Sequence, residues 1–243
     1  MKCIILAAGY ATRLYPLTEN FPKPLLDVGG KPILDWLISD LSSSVEEFLV
    51  VSNHKFAGIF QEWAAEKSLI RVIDDGTSTN ETRLGAVRDI ELAVQSSTDD
   101  GNETWLVMAG DNMLDFSLRG FINYQKSVGT SCVMAHPEDR LQALQKTAVI
   151  TTNEDGLITS YEEKPHEPKG NLAVPPFYIY TASDVKRIAE ALDDGCGYDA
   201  PGSFAAWLSR HTEMHAWKMT GCRYDIGDIA SYEVVKKVFA DMK

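Results

Sequence analysis

Residues 6–26, "LAAGYATRLYPLTENFPKPLL", combine residue types that bind phosphate. Gly9 allows a ligand to approach the backbone closely, and backbone N–H groups in a turn can hold phosphate oxygens. Arg13 offers a fork of N–H donors that matches phosphate, and Lys23 adds a positive charge that the prolines on either side hold in place. These residues predict a phosphate-binding loop, and the alternative is a surface loop with two solvated cations.

A carboxylate follows an apolar stretch in "WLVMAGDN", residues 105–112. An aspartate at the carboxyl end of a strand, directly after glycine, is well placed to bind Mg²⁺, which prefers oxygen ligands. Asp111 is therefore a candidate metal ligand. A Gly-Asp turn is also common in proteins without a metal, so an ordinary turn is the alternative.

A second carboxylate lies beside a cation in "SYEEKPHEPKGNLAV", residues 160–174. Glu163 and Lys164 are followed by a proline that restricts the backbone. Such a pair suits a ligand that carries both hydroxyl groups and a phosphate. The alternative is an edge strand with a run of solvated charges.

These residues must be positioned by an α/β fold, because strand and helix patterns alternate from residue 2 to residue 136. The alternation predicts a Rossmann-like, mixed and mostly parallel sheet flanked by helices in a single domain, 1–243. Ligands of such sheets bind beyond the carboxyl ends of the strands, where residues 8–24, 74–85 and 110–112 fall. Residues 171–181 predict one strand interrupted by two prolines, residues 182–194 one helix, and residues 228–243 a closing helix.

Composition limits the classes of partner. The 243 residues carry a formal net charge of −12, which argues against a general electrostatic surface for nucleic acid or an anionic membrane. The four cysteines lack a metal-ligand spacing and predict reduced thiols in a cytoplasmic protein. We expect no signal peptide, because the apolar run at the N-terminus is short, and no membrane span.

The stretch "GYATRLYPLTENFPKP" resembles the signature of sugar-phosphate nucleotidylyltransferases, G-x-G-T-R-L followed by P-L-T and P-K-P. It departs at one position, Ala11, where the family has glycine. The resemblance implies catalytic roles for Arg13 and Lys23. It also implies that the nucleotide is bound by Leu6, Ala8, Gly9, Ala11, Thr12, Asn80 and Gly85.

The resemblance extends to the later motifs and is strongest to glucose-1-phosphate thymidylyltransferases. It implies Mg²⁺ as the cofactor, with Asp111 and the Asp225 of "YDIGDIASY" as metal ligands. Asp111 and Lys164 are thereby also catalytic residues. The implied acceptor-binding residues are Asn112, Glu163, Lys164 and Asn171. Residues 1–136 then form a nucleotide-binding half, and residues 137–243 an acceptor-binding half.

The implied reaction couples an NTP to a sugar 1-phosphate or a similar phosphorylated small molecule and releases pyrophosphate. The acceptor phosphate is already ionised near neutral pH, because its second pKa is about 6, so no general base is required. Two alternatives stay open: a cytidylyltransferase for a phosphorylated non-sugar such as phosphocholine or a phosphonate, and a non-catalytic regulator that binds nucleotide sugars. A homo-oligomer is possible with each of these three functions.

The substrate-reading segments depart from the thymidylyltransferases. Asn80 stands five residues before Gly85, where those enzymes have glutamine, and "DDGTST…RLGAVRD" resembles the cytidine-reading stretch of glucose-1-phosphate cytidylyltransferases. We therefore expect a pyrimidine nucleotide. Pro175 and Pro176 replace a Thr-Gly pair, which predicts weak binding of glucose 1-phosphate and a different phosphorylated acceptor.

Overall fold

A computed structural model of the protein describes residues 1–97 and 101–240. The strands in this part of the chain are β1 (Lys2–Leu6), β2 (Asp27–Val28), β3 (Lys31–Pro32), β4 (Glu47–Ser52), β5 (Ile70–Asp74), β6 (Trp105–Ala109), β7 (Asn112–Leu114), β8 (Ser131–Pro137), β9 (Ala148–Thr152), β10 (Ile158–Glu163), β11 (Leu172–Val174), β12 (Phe177–Tyr180), β13 (Met214–Lys218) and β14 (Arg223–Asp225). The α-helices are α1 (Ile33–Leu41), α2 (His54–Ala64), α3 (Ala86–Ser96), α4 (Arg119–Val128), α5 (Leu141–Leu144), α6 (Ala182–Val185), α7 (Ile188–Asp193), α8 (Gly202–Leu208) and α9 (Ile229–Phe239).

The chain forms two compact units, each built from separate stretches of sequence. The first unit comprises Lys2–Arg83, Ala109–Arg119 and the chain from Thr220 onward. The second unit comprises Met1, Leu84–Met108 and Gly120–Met219. Within residues 1–97 and 101–240, no helix combines the length and apolarity that crossing a bilayer requires.

The first unit contains the parallel strands in the order β1, β4, β5. The apolar side chains of β1 and β4 are buried with no alternation along the strand, as in a parallel sheet covered on both faces. Consecutive loops are tied together beyond the carboxyl ends of these strands. The Asn53 amide donates to the carbonyl of Ala8 (2.9 Å), and the Tyr10 hydroxyl donates to the carbonyl of Thr77 (3.1 Å).

The second unit contains strands in the order β10, β9, β11, β8, β12, β6, with β13 paired to β8. Strand β12 is antiparallel to both β6 and β8, so β6 and β8 run in the same direction. Aromatic rings of β12 and α8 pack in a row. The ring centroids of Tyr180 and Phe204 are 5.0 Å apart, and those of Phe204 and Trp207 are 6.4 Å apart.

Two predicted elements are divided in the structure. The strand expected over residues 171–181 is divided into β11 and β12, because Pro175 and Pro176 lack an N–H and the N–H of Phe177 bonds to the Pro175 carbonyl in a tight turn (2.7 Å). The helix expected over 182–194 is divided into α6 and α7, where the Arg187 N–H bonds to the Asp184 carbonyl (3.0 Å) and tightens the turn. The last three residues of the predicted closing helix, 241–243, lie outside the described residues.

Candidate active site

The loop after β1 leaves the space beside Gly9 open. The Ala7 N–H donates to the Val51 carbonyl (2.9 Å), which fixes the start of the loop against β4. Gly9 is exposed, and a Cβ atom at this position would meet no atom of the described structure within 4 Å. Packing therefore does not explain the glycine, and the open space leaves room for a ligand to approach the backbone closely.

Ala11 adopts a left-handed backbone conformation, with φ of 47° and ψ of 41°. Its carbonyl accepts hydrogen bonds from the Leu14 N–H (2.9 Å) and from the hydroxyl of the buried Thr18 (2.8 Å). These bonds hold a conformation that costs an L-residue roughly 1–2 kcal/mol. The position where the family signature has glycine is therefore one that favours glycine on conformational grounds.

Lys23 and Asp111 form an ion pair. Lys23 begins a 3-10 turn after Pro22, and its side chain is only 9% exposed. Its ammonium donates to Oδ2 of Asp111 at 2.7 Å, and the Asp111 side chain is 35% exposed. Asp111 follows β6, and the N–H of Gly110 bonds to the Leu6 carbonyl (3.0 Å), so the loops after β1 and β6 meet here. A buried cation thus faces a carboxylate that is open to a cavity.

Strand β14 brings a second carboxylate beside the first. It pairs antiparallel with β7, and Asp225 lies opposite Asn112. Asn112 is buried, and its amide group donates to Oδ1 of Asp111 (2.7 Å) while its oxygen accepts from the guanidinium of Arg223 (2.5 Å). The side chain of Asn112 is therefore bonded within the protein, and its predicted contact with the acceptor stays a prediction.

Charged side chains of both signs line one cavity of about 270 Å³ in the first unit. Its lining consists of Ala11, Thr12, Arg13, Leu14, Lys23, Asp111, Asp225 and Gly227. A smaller cavity of about 120 Å³ shares part of this lining and extends to Leu6, Ala7, Gly9 and Pro24. Part of the predicted set is therefore brought together in the first unit, namely Leu6, Gly9, Ala11, Thr12, Arg13, Lys23, Asp111 and Asp225.

The two carboxylates suit Mg²⁺, which is commonly bound by one or two carboxylates together with substrate phosphates and water. Asp111 and Asp225 supply only oxygen ligands, and Oδ2 of Asp111 already has a cationic partner in Lys23. In the described part of the chain, no group of three or more His, Cys, Asp or Glu side chains is arranged around a metal position. The two carboxylates therefore suit a metal ion whose remaining ligands come from a nucleotide and water.

The two residues predicted to read the base differ in their surroundings. Asn80 is exposed on a 3-10 turn, Asn80–Thr82, in the first unit. Gly85, in the second unit, has φ of 92°, and a Cβ atom there would lie 2.6 Å from the carbonyl oxygen of Tyr198. Backbone conformation and packing both require glycine at this position, so its residue type has a structural cause.

Lys164, predicted to bind the acceptor phosphate, has an uncommon backbone conformation. Its φ is 48°, and within residues 1–97 and 101–240 the non-glycine residues with positive φ are Ala11 and Lys164. The Lys164 N–H is held by the Thr147 carbonyl (3.1 Å). Strained residues of this kind concentrate at ligand sites, and both examples here fall on residues that the sequence assigns to a site.

Glu163 combines burial with an unsatisfied oxygen. Burial raises the pKa of its carboxyl group, and the charge of Lys164 opposes this shift. Its Oε2 is buried with no hydrogen-bond partner among the described residues, and it lies against Gly202, where a Cβ atom would be 2.2 Å away. Asn171, the other predicted acceptor residue, is exposed, and its amide donates to Asp139 at 3.5 Å.

Sequence analysis missed several residues that hold this site in place. Asn53 caps α2 and bonds to Ala8, Thr18 fixes the Ala11 carbonyl, and Arg223 reaches Asn112. A sequence signal existed for Asn53, since an Asn after a buried strand is a common helix N-cap. Arg223 gave a weaker signal, two residues before Asp225 on a short strand.

The fold and the cavity together are those of an α/β protein with a candidate ligand site beyond its strand ends. A family profile described as nucleotidyl transferase matches residues 2–241, and the chain belongs to this family. The family predicted from the sequence motifs is therefore confirmed, and so is the class of enzyme, a nucleotidyltransferase.

Relatives with related activities match most of the chain. A UTP–glucose-1-phosphate uridylyltransferase of Haloferax volcanii is 31% identical over 93% of this chain and 91% of its own length. A glucose-1-phosphate adenylyltransferase of Fervidobacterium nodosum is 25% identical over 94% of this chain, which spans 59% of that protein.

Solved structures share the fold at low sequence identity. A provisionally assigned glucose-1-phosphate thymidylyltransferase from Bacillus anthracis superimposes with a TM-score of 0.85 at 21% identity, over 100% of this chain and 96% of that one. A UDP-glucose pyrophosphorylase in complex with UDP-glucose gives 0.80 at 22% identity, over 100% and 99% of the two chains. The predicted fold class, a mixed and mostly parallel sheet flanked by helices, is confirmed.

Proposed function

We propose that the protein transfers a nucleotidyl group from a pyrimidine NTP to a sugar 1-phosphate or a similar phosphorylated acceptor, with Mg²⁺ as cofactor. The observation that carries this proposal is the cavity of about 270 Å³ that Arg13, Lys23, Asp111 and Asp225 line together. Two cations and two carboxylates in one cavity suit a triphosphate with its metal. The names of the Haloferax volcanii relative and of the UDP-glucose complex support the sugar phosphate and the pyrimidine.

The reaction requires positioning more than acid–base chemistry. An oxygen of the acceptor phosphate forms a bond to the α-phosphorus, and the bond from that phosphorus to the bridging oxygen breaks. Pyrophosphate leaves with the electron pair. In this assignment Arg13 and Lys23 stabilise the negative charge on the departing pyrophosphate, and Lys164 binds the acceptor phosphate.

Asp111 and Asp225 would hold Mg²⁺, which neutralises phosphate charge when bound. Lys23 contacts Oδ2 of Asp111 at 2.7 Å. Both residues line the cavity in which the triphosphate and its metal would bind. Backbone N–H groups near Gly9 and Ala11 supply neutral donors to phosphate oxygens.

A screen for pyrophosphate release tests the proposal. UTP, dTTP, CTP, ATP and GTP are each mixed with a panel of sugar 1-phosphates and phosphorylated alcohols in the presence of Mg²⁺. We expect release with a pyrimidine NTP and a sugar phosphate, and none when EDTA is in excess. Preference for ATP or GTP would contradict the pyrimidine assignment.

The same screen separates the alternative functions. If pyrophosphate is released with CTP and phosphocholine or a phosphonate, but not with sugar phosphates, the protein is a cytidylyltransferase for a non-sugar acceptor. If the protein binds a nucleotide sugar but releases no pyrophosphate with any pair of NTP and acceptor, it is a non-catalytic regulator. A cytoplasmic location and a homo-oligomeric state remain predictions, which fractionation of cells and sedimentation of the protein would test.

A further inference from the structure

A chain of hydrogen bonds reaches Asp111 from a residue that does not line the cavity. The guanidinium of Arg223 donates to Oδ1 of Asn112 (2.5 Å), and Nδ2 of Asn112 donates to Oδ1 of Asp111 (2.7 Å). Oδ2 of Asp111 is bound by the ammonium of Lys23 (2.7 Å). These contacts all lie within the first unit. Both oxygens of Asp111 are thus held by donors from opposite sides.

The orientation of the Asn112 amide follows from the chemistry of its two neighbours. Arg223 has only donors, so it must face the amide oxygen, and a carboxylate has only acceptors, so it must face the amide NH₂. Asn112 is 1% exposed, so water does not compete for either contact. If Arg223 were removed, the amide oxygen would lose its cationic donor, and one of the two contacts that hold the amide in this orientation would be gone.

We propose that Arg223 is a positioning residue of the metal site. Through Asn112 it fixes the Asp111 carboxylate with Oδ1 bonded to Asn112 and Oδ2 bonded to Lys23. This inference rests on the proposed function, since it takes Asp111 as a metal ligand. Partners that orient a ligating carboxylate typically change metal affinity or activity 10–100-fold when they are removed.

The pairing of β7 with β14 explains how a residue so late in the chain reaches this position. Arg223 lies opposite Leu114, and Asp225 opposite Asn112, so one short strand carries both the candidate ligand Asp225 and the positioning Arg223. The two-residue spacing puts both side chains on the same face of β14. Loss of either side chain is therefore expected to disturb the same carboxylate pair.

Titration of Mn²⁺ into the protein, followed by EPR, tests the proposal without measuring turnover. Free protein and protein saturated with α,β-methylene-UTP are compared for wild type, Arg223→Gln and Arg223→Lys. We expect Arg223→Gln to weaken Mn²⁺ binding 10–100-fold in the analogue complex. Arg223→Lys, which keeps a donor for Asn112, should recover part of the loss. Arg71→Gln is the matched control, because its guanidinium pairs with Glu47 (2.9 Å) instead.

A double-mutant cycle shows whether Arg223 acts on Asp111 through Asn112, an arrangement that we call the relay, or whether the two residues act independently. If Arg223 acts through Asn112, then Asn112→Ala alone should weaken Mn²⁺ binding about as much as the double variant with Arg223→Gln. Effects that multiply in the double variant would overturn the relay. A lower thermal midpoint with unchanged Mn²⁺ affinity would also overturn it, because it would show a structural role only.

The outcome separates this inference from the function on which it rests. Pyrophosphate release by wild type with no change in Mn²⁺ affinity in Arg223→Gln would leave the function standing and refute the relay. Mn²⁺ binding that depends on Asp111 and Arg223, in a protein that releases no pyrophosphate, would support the relay and contradict the function. Absence of Mn²⁺ binding to wild type in both titrations would contradict the metal site and the relay together.

Discussion

The ammonium of Lys23 lies 2.7 Å from Oδ2 of Asp111, although 88 residues separate the two in sequence. Lys23 is 9% exposed at its side chain, whereas Asp111 is 35% exposed and lines the cavity. The pair therefore joins an interior cation to a carboxylate that remains open to a ligand. A nucleotide that binds here meets both charges, and the predictions below start from this arrangement.

Asp111→Asn should leave the fold intact and lower turnover at least 100-fold. The amide keeps the shape of the side chain but removes the negative charge that would hold Mg²⁺, and metal stabilisation of charge is worth several kcal/mol. Steady-state pyrophosphate release at saturating Mg²⁺ measures the effect, with Asp193→Asn at the end of α7 as a control. Activity within a few-fold of wild type would remove Asp111 from the metal site.

Arg13→Ala should weaken both nucleotide binding and turnover. Loss of one hydrogen bond to a charged group costs about 1.5–3 kcal/mol, which corresponds to roughly 10–150-fold in kcat/KM. Arg13→Lys keeps the charge but not the planar fork and should lie between wild type and Arg13→Ala. If nucleotide affinity and turnover are both unchanged in Arg13→Ala, the phosphates bind elsewhere.

Ala11→Gly should stabilise the protein by about 0.5–1 kcal/mol. A left-handed conformation costs alanine roughly 1–2 kcal/mol, and the greater freedom of glycine in the unfolded chain offsets part of that gain. Urea unfolding measures the difference. Ala64→Gly, at the last residue of α2, is the control and should destabilise by less than the roughly 1 kcal/mol that glycine costs in a helix interior. A loss of stability in Ala11→Gly would contradict the strain assigned to Ala11.

The parts of the site that sequence analysis predicted are those that follow from strand order. Arg13 and Lys23 lie in the loop that follows β1, and Asp111 follows β6. Ligands of such sheets bind beyond the carboxyl ends of the strands, so their proximity could be expected. The left-handed conformation at Ala11 was not predicted, although the family's glycine at this position was a signal for it. In both cases the local sequence contains the physical cause.

The parts that were missed depend on pairings between distant stretches of chain. The contact of Arg223 with Asn112 exists only because β14 adds to β7, and each of these strands has three residues, too few for a clear pattern. The environment of Glu163 depends on Gly202 at the start of α8. Neither pairing can be inferred from spacing, because packing between separate elements determines them.

Glu163→Gln should raise the thermal midpoint at pH 8, because burial of a neutral amide costs less free energy than burial of a carboxylate. Burial raises the pKa of Glu163 above its value in the unfolded chain, so the folded state binds this proton more tightly. Its contribution therefore favours folding at low pH and is lost as the pH rises past the unfolded and then the folded pKa. Calorimetry at pH 4 and pH 8 measures the difference.

At pH 4 the same substitution should change the thermal midpoint less, because the carboxyl group is then largely protonated in both states. Glu154→Gln, at an exposed position in the turn between β9 and β10, serves as the control for the change of residue type. An equal shift at the two pH values would contradict the raised pKa as its cause.

The segment predicted to bind the acceptor provides the last prediction, because its sequence departs most from the thymidylyltransferases. After Val174 those enzymes have a Thr-Gly pair, whereas this chain has Pro175 and Pro176. The two prolines remove two backbone donors and one hydroxyl, and the Pro175 carbonyl accepts from the N–H of Phe177 (2.7 Å) instead. Each sugar hydrogen bond that is not replaced costs roughly 0.5–1.5 kcal/mol.

We therefore expect wild type to use glucose 1-phosphate poorly compared with a modified sugar 1-phosphate or a smaller phosphorylated alcohol. The double variant Pro175→Thr, Pro176→Gly restores the missing groups and should raise kcat/KM for glucose 1-phosphate about 5- to 10-fold, as one recovered hydrogen bond of about 1–1.4 kcal/mol would. Its kcat/KM for the preferred acceptor should not rise in parallel, because that acceptor does not use the restored groups. Glucose 1-phosphate as the best wild-type acceptor by tenfold or more would show that the prolines do not set acceptor choice.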